Sequence, residues 1–310
     1  MLDFRTDLAN ERRDLYKKAN GIESEIQGIE TEEEKEEKAL ITRVKVKNKQ
    51  GEEAIKKPIG TYVTIDIKDL KFASSSDMQK ISEILTRELK KFIDKYVKNT
   101  SSILIVGLGN LYVTPDSLGP KVINEIDITR HVLEYMPGVL EKNTRPVSAI
   151  SPGVLGTTGI ETQEILKGIV QNTTPELIII IDALISRSIE RICSSIQISD
   201  TGIVPGAGIG NARKELTKES LGVQVISVGI PTVMEAFTIV TDTLELLTKR
   251  LNKDGYSNEF AKRLQSDKYE MIKEILNQNG YNLIVTPKEI DKLIENMKDI
   301  ISKGINFAIN

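Results

Sequence analysis

Cysteine and histidine are nearly missing from this chain. Its 310 residues include one cysteine, Cys193, and one histidine, His131. A lone cysteine cannot close an internal disulfide and fits a reducing compartment. A lone histidine cannot build a histidine metal cluster. A Ser-His-Asp triad would have to use that one residue, and no Gly-x-Ser-x-Gly elbow is present. No apolar run is long enough to span a membrane. Met1 to Asn20 is charged and lacks an apolar centre, so it does not read as a secretory signal. An excess of positive charge is also lacking. Forty-two basic and forty-five acidic residues leave a net charge of −3, which argues against a nucleic-acid binder drawn by a global positive field. The glycine-rich stretches carry no Gly-Lys-Ser/Thr end of a P-loop. The dinucleotide fingerprint also fails, because no glycine stands three residues after Gly109.

What is present is an ordinary globular mixture, 39% apolar and 28% charged, with length enough for one large α/β domain or two smaller ones. The run Glu32 to Lys38 reads as a solvated helical turn or a mobile segment. Val44 and Val46, then Val63, Ile65 and Ile67, alternate with polar residues. They predict two antiparallel strands, a hairpin around a turn at Asn48–Gly51. Ser76 with Gln79 forms a capping-box start for a helix whose apolar face is Met78, Ile81, Leu85, Leu89, Phe92 and Tyr96. Three short apolar runs, Ile103–Val106, Leu177–Ile181 and Val223–Val228, predict buried parallel strands. Helical patterns at Glu161–Val170 and Val233–Leu251 separate them. The last sixty residues read as helices, one of them opened by Thr286-Pro287-Lys288-Glu289. The expected fold is α/β: a mostly parallel sheet flanked by helices on both faces, elaborated by an N-terminal β-hairpin and C-terminal helices. With no linker and no repeat, residues 1–310 are expected to form a single domain.

Function in such sheets gathers beyond the C-terminal strand ends, and two aspartates stand there. Asp116 follows the turn Gly107-Leu108-Gly109-Asn110 and precedes Pro120, which suits a helix's first turn. It is either a capping or turn residue, or a carboxylate held near a helix N-terminus. Asp182 ends the apolar strand Leu177–Ile181, where burial demands a partner or a shared proton. Its alternatives are an ion pair with Arg187 or Arg191, or catalysis. Two close carboxylates cannot both ionise readily, so the pair keeps a proton near neutral pH and can act as acid and base. The glycine stretches Pro152–Gly159 and Gly202–Asn211, with Gly206, Gly208 and Gly210, suggest close backbone approach to a substrate or to a neighbouring loop. Cys193 reads as a small strand residue. Asp200 is an accessory acid at most. Glu235, three residues after Thr232, reads as a capping-box residue.

Taken in order, these motifs resemble the germination proteases of spore-forming bacteria. The likeness rests on Arg5-Thr6-Asp7-Leu8-Ala9, Gly107 to Asn110, Val113-Thr114-Pro115-Asp116, Pro152-Gly153-Val154 and Gly159-Ile160-Glu161-Thr162. It continues through Asp182-Ala183-Leu184, Gln197 to Gly202, Pro231-Thr232-Val233 and Val285 to Ile290. The resemblance implies an atypical aspartic endopeptidase whose two aspartates match Asp116 and Asp182. Its implied substrates are small acid-soluble spore proteins, which coat DNA in the dormant spore. The resemblance also implies a fold similar to that of the hydrogenase maturation proteases, a homotetramer, and a cytoplasmic location in the spore core. With His131 as the sole histidine, no metal and no cofactor are expected. The resemblance implies a zymogen cut between Asp7 and Leu8, which makes residues 1–7 a propeptide. Glu235 stands where the family suggests an aspartate and is given no catalytic role. Two other readings stay open: a phosphate-using enzyme of the nucleoside phosphorylase kind, suggested by the glycine loops, and a non-catalytic protein that binds spore proteins.

Overall fold

The computed structural model describes residues 5–136, 138–141, 143–206, 213–253 and 283–310. Among the described residues, nine strands form one mixed sheet. They are β1 (Ile29–Lys35), β2 (Ala39–Val46), β3 (Gly60–Ile67), β4 (Ile103–Gly107), β5 (Val147–Ile150), β6 (Leu177–Ile185), β7 (Ser195–Ser199), β8 (Gln224–Glu235) and β9 (Ile284–Val285). Across the sheet the order is β1-β2-β3-β7-β8-β6-β4-β5, and β9 pairs with the far end of β8. From β8 to β5 the strands run parallel. From β1 to β8 they are antiparallel. The expected α/β sheet flanked by helices is therefore present. The N-terminal strands are not an appendage, because β7 fuses them to the parallel half.

Alternation along each strand sorts residues to two faces. Ile103, Ile105, Ile179, Ile181, Ile226 and Val228 face one way. They are covered by the helix Ser75–Tyr96 and the C-terminal helix Ile290–Ile309, which also pack against each other. Leu104, Val106, Ile178, Ile180 and Val225 face the other way, under Leu166 and Leu221 of the helices Thr162–Thr173 and Lys218–Leu221. Further along that second face, Asp182, Ser227, Gln197 and Ser199 take the apolar positions' places. They form a polar floor.

Several local expectations are corrected. Residues 32–35 belong to β1, not to a helical turn or mobile segment. Arg43 on β2 faces Glu32 in register and also binds Glu34 and the buried Glu88. Cross-strand charge pairing supports an edge strand whose own propensity is poor. The turn at Asn48 is the start of a helix, Lys49–Ile55, with the Asn48 side chain accepting from the Gly51 N–H at 3.1 Å. The capping box of the Ser75–Tyr96 helix is Ser74 with Asp77, two residues before the expected pair. Strand β8 runs on through Glu235, so the following helix begins at Ala236 and Glu235 is not a capping-box residue. Thr286 does not cap the last helix; its hydroxyl donates to the Thr232 carbonyl at 2.9 Å. Cys193 lies just before β7 with φ 51°, buried, and burial pushes its thiol up to about 12. A thiol so placed is inert.

Candidate active site

Strand β4 stops at Gly107, opposite Ile181 of β6. Asp182 is the next residue, so the loop leaving β4 passes over it. Strand β6 does not end there as expected. It continues to Ile185 because β8 also continues, pairing Asp182 with Gly229 and Ile185 with Val233. Asp182 is thus an interior strand residue on the polar floor, 6% exposed. Its Oδ1 accepts the Ala183 N–H at 2.9 Å. Neither suggested arginine neutralises it. Arg187 binds Asp242, and Arg191 binds Asp66 and Glu11. Burial, followed by the charges of Asp116 and Asp7, raises the Asp182 pKa well above the usual carboxylate range.

Asp116 closes the loop from β4. It sits in a 3-10 turn, Thr114–Asp116, ahead of the helix Leu118–Ile123. Its carboxylate does not cap that helix; Oδ2 accepts the Asn110 N–H at 2.8 Å and so ties the loop back on itself. Burial pushes its pKa up to about 6, opposed by that N–H. The loop closes because Gly109 adopts φ 119°, where a Cβ would lie 2.0 Å from the Asp116 carbonyl oxygen. Gly109→Ala meets both backbone strain and a backbone clash. It is expected to lower stability by about 2 kcal/mol or more and to shift Asp116, measured by urea unfolding alongside the Asp116 titration.

Both carboxylates line a cleft of about 650 Å³. Other lining residues are Gln197, Ser199, Ser227 and Lys57, whose ammonium burial drives below its ordinary pKa. The chain's own N-terminal segment, Arg5 to Asp7, forms part of the cleft wall. Asp7 N donates to the Ile185 carbonyl at 3.0 Å, and Ile185 N donates to Asp7 Oδ2 at 3.0 Å. Gln197 Nε2 donates to the Asp7 carbonyl at 3.1 Å, while Ala9 N donates to Gln197 Oε1 at 2.7 Å. Arg5 pairs with Glu235 at 3.1 Å. Thr6 binds the buried Glu11, which also accepts the backbone N–H groups of Arg187 and Ser188. Leu8 is fully buried.

Other sequence candidates lie elsewhere. Asp200 accepts from the Thr61 N–H, Lys95 and Tyr96 and does not line the cleft, although its neighbours Ser199 and Thr201 do. His131 is exposed on a short helix, Arg130–Tyr135. Among the described residues, no group of three potential metal ligands occurs, and no helix is long and apolar enough to cross a membrane. The Pro152–Gly159 stretch does not line the cleft. Gly202 and Gly206 do, and a Cβ on Gly202 would strike the Leu216 carbonyl, the expected approach to a neighbouring loop. Gly208 and Gly210 fall outside the described residues. Gln197 belongs in sequence to the Gln197–Gly202 motif of the resemblance, and its local context makes it one polar residue of an alternating strand with no signal of a role.

An α/β cleft with the chain's own backbone bound along one wall, beside two carboxylates of raised pKa, has the form of a peptide-handling site. The family profile described as germination protease matches residues 6–266 and 260–310. The chain is 48% identical to a germination protease of Caldanaerobacter subterraneus subsp. tengcongensis, covering 100% of this chain and 95% of the relative. It is 44% identical to one from Clostridium acetobutylicum (100% and 96%) and 39% identical to one from Bacillus cereus strain G9842 (99% and 93%). A solved [NiFe] hydrogenase maturation protease, HycI of Thermococcus kodakarensis, overlays 70% of this chain and 98% of its own, with TM-score 0.30 and 14% identity. That likeness is too slight to bear on activity. The chain belongs to the germination protease family and is a peptidase.

Proposed function

We propose that this protein is an aspartate-dependent endopeptidase that cleaves small acid-soluble spore proteins, and that it is made as a zymogen. The observation that supports this reading most is the binding of the Asp7 backbone along a cleft that Asp182 and Asp116 also line, with Leu8 buried beside it. In this reading Asp116 is the base, because it is the less buried of the two and its carboxylate is stabilised by the Asn110 N–H. Asp182, more deeply desolvated, holds the proton. Water bonds to the scissile carbonyl carbon as one of its protons passes to Asp116. The Asp182 proton moves to the carbonyl oxygen, giving a neutral gem-diol. On collapse, the nitrogen takes the proton from Asp116, a hydroxyl returns one to Asp182, and the C–N bond breaks. Acid, amine and the starting protonation states result.

Residues 1–310 form one peptidase domain in this proposal, with residues 1–7 as its propeptide. The working assembly is a homotetramer in the spore-core cytoplasm. The test is mass spectrometry of a small acid-soluble spore protein incubated with the chain beginning at Leu8, in a metal chelator. Discrete internal cleavage is expected. Tight binding without cleavage would replace this reading with a storage role.

A further inference from the structure

The buried side chain of Gln197 meets the N-terminal segment at two points that flank Leu8, the carbonyl of the Asp7–Leu8 peptide and the N–H of the Leu8–Ala9 peptide. Its Nε2 donates to the carbonyl oxygen of Asp7, and its Oε1 accepts the N–H of Ala9. The orientation of the amide is fixed by these partners, since a carbonyl can only accept and an N–H can only donate. Gln197 is 6% exposed, so water does not compete freely for either bond. Its position on the sheet is level with the candidate acid: Gln197 pairs with Gly229, and Gly229 pairs with Asp182. Two strand spacings separate them, roughly 10 Å between backbones. Side chains rising from the same face can therefore approach one bound peptide from opposite sides. The segment is also fixed lengthwise, by the Asp7–Ile185 pair on one side and the buried Leu8 on the other.

We infer that Gln197 is a further catalytic residue, the donor that holds the scissile carbonyl oxygen while water adds to its carbon. The inference rests on the proposed aspartate mechanism and on a cut between Asp7 and Leu8. As the carbonyl carbon becomes tetrahedral, its π electron pair moves onto the oxygen that faces Gln197 Nε2. A preset donor in a water-poor site stabilises that developing charge until the Asp182 proton arrives. The Oε1 contact with Ala9 fixes the leaving side of the bond, so the amide also aligns the peptide.

The experiment follows the appearance of a Leu8 N-terminus in the full chain by mass spectrometry, for the unmodified protein and for Gln197→Glu, Gln197→Ala and Asp182→Asn. Gln197→Glu keeps an acceptor for Ala9 but offers the Asp7 carbonyl no hydrogen. Amide exchange at Ile185, which donates to the Asp7 carboxylate, reports whether the segment remains seated. The expected result is a cut about 10²-fold slower in Gln197→Glu, with Ile185 protection kept; Gln197→Ala should be slowed at least as much. A Gln197→Glu rate within about threefold of the unmodified chain overturns the role, on the same scale of expected loss. So does a loss of Ile185 protection that parallels the slowing, since the defect would then be one of seating. An inert Asp182→Asn beside a fully active Gln197→Glu overturns the inference about Gln197 alone. Equal cutting by Asp182→Asn overturns the aspartate reading itself. An unmodified chain that never yields a Leu8 N-terminus overturns both.

Discussion

Replacing Asp182 by asparagine is expected to remove proteolysis while leaving the chain at least as stable as before. Asparagine fills the same volume and can accept the Ala183 N–H as the carboxylate does, but it carries no transferable proton. Loss of a positioned acid typically removes about 10² to 10⁴ in rate, so peptide turnover should fall by about 10³-fold. The effect on stability has the opposite sign. Both aspartates have folded-state pKa values raised above their ordinary value near 3.8. A raised value means that the folded chain binds the proton more tightly than the unfolded chain. Its contribution is full below pH 3.8 and is lost as pH rises through the folded pKa, about 6 for Asp116. Above that range each carboxylate weighs against the fold. Amide variants lack this loss, so their advantage should be absent near pH 3 and grow with pH. For Asp116→Asn it should reach ~1–3 kcal/mol by pH 8, the scale set by about 1.4 kcal/mol per pKa unit. Urea unfolding across pH measures it, and a destabilised variant at pH 8 would contradict the assignment of burial as the cause. Activity should follow a bell-shaped pH profile whose limbs belong to the pair. The acid limb should lie near 6, where the proposed base takes up its proton.

Removing residues 1–7 is expected to have the second large effect, in the opposite direction. The segment is attached by the Arg5–Glu235 ion pair, the two-way Asp7–Ile185 contact, Gln197 and the Thr6–Glu11 bond. Hydrogen bonds to charged groups contribute about 1.5–3 kcal/mol each. A covalently tethered occupant also acts at millimolar effective concentration. Two such contacts holding the cleft closed would reduce the competent fraction by about 10². The chain beginning at Leu8 should therefore show kcat/KM about 10²-fold higher than the intact chain. The gain should lie in KM, because an occupant in cis competes with substrate and does not alter chemistry once substrate is bound. Initial rates, taken before the intact chain is cut, make the comparison. Equal values would mean that the segment does not occupy the cleft in solution. The same contacts give Glu11 a separate role. It lies beyond the cut and accepts from the Arg187 and Ser188 N–H groups and from Arg191, contacts that do not involve residues 1–7 and are expected to hold the end of β6 in place when the segment leaves.

Much of this protein follows from local pattern. Apolar runs at Ile103, Leu177 and Val223 read as buried strands, and the face from Met78 to Tyr96 as one side of a long helix. Periodicity records which residues must leave water, and that requirement is written residue by residue. The same logic found Asp116 and Asp182, because a carboxylate at the end of an apolar strand or a glycine turn is conspicuous. The lack of cysteine and histidine narrowed the chemistry before any fold was known. Local pattern failed where a residue's partner is distant in the chain. The acidic run at Glu32 is a strand only because Arg43 and Glu88 meet it there. The end of β6 moved from Asp182 to Ile185 because β8 extends alongside it. Asp7 and Gln197 stand out in sequence only through the family resemblance. The fold brings them together across nearly two hundred residues, setting an amide against the peptide bond that the sequence had marked only by resemblance. Burial is a property each residue carries with it; the encounter of two polar groups is a property of the closed chain, and only the tertiary structure decides it.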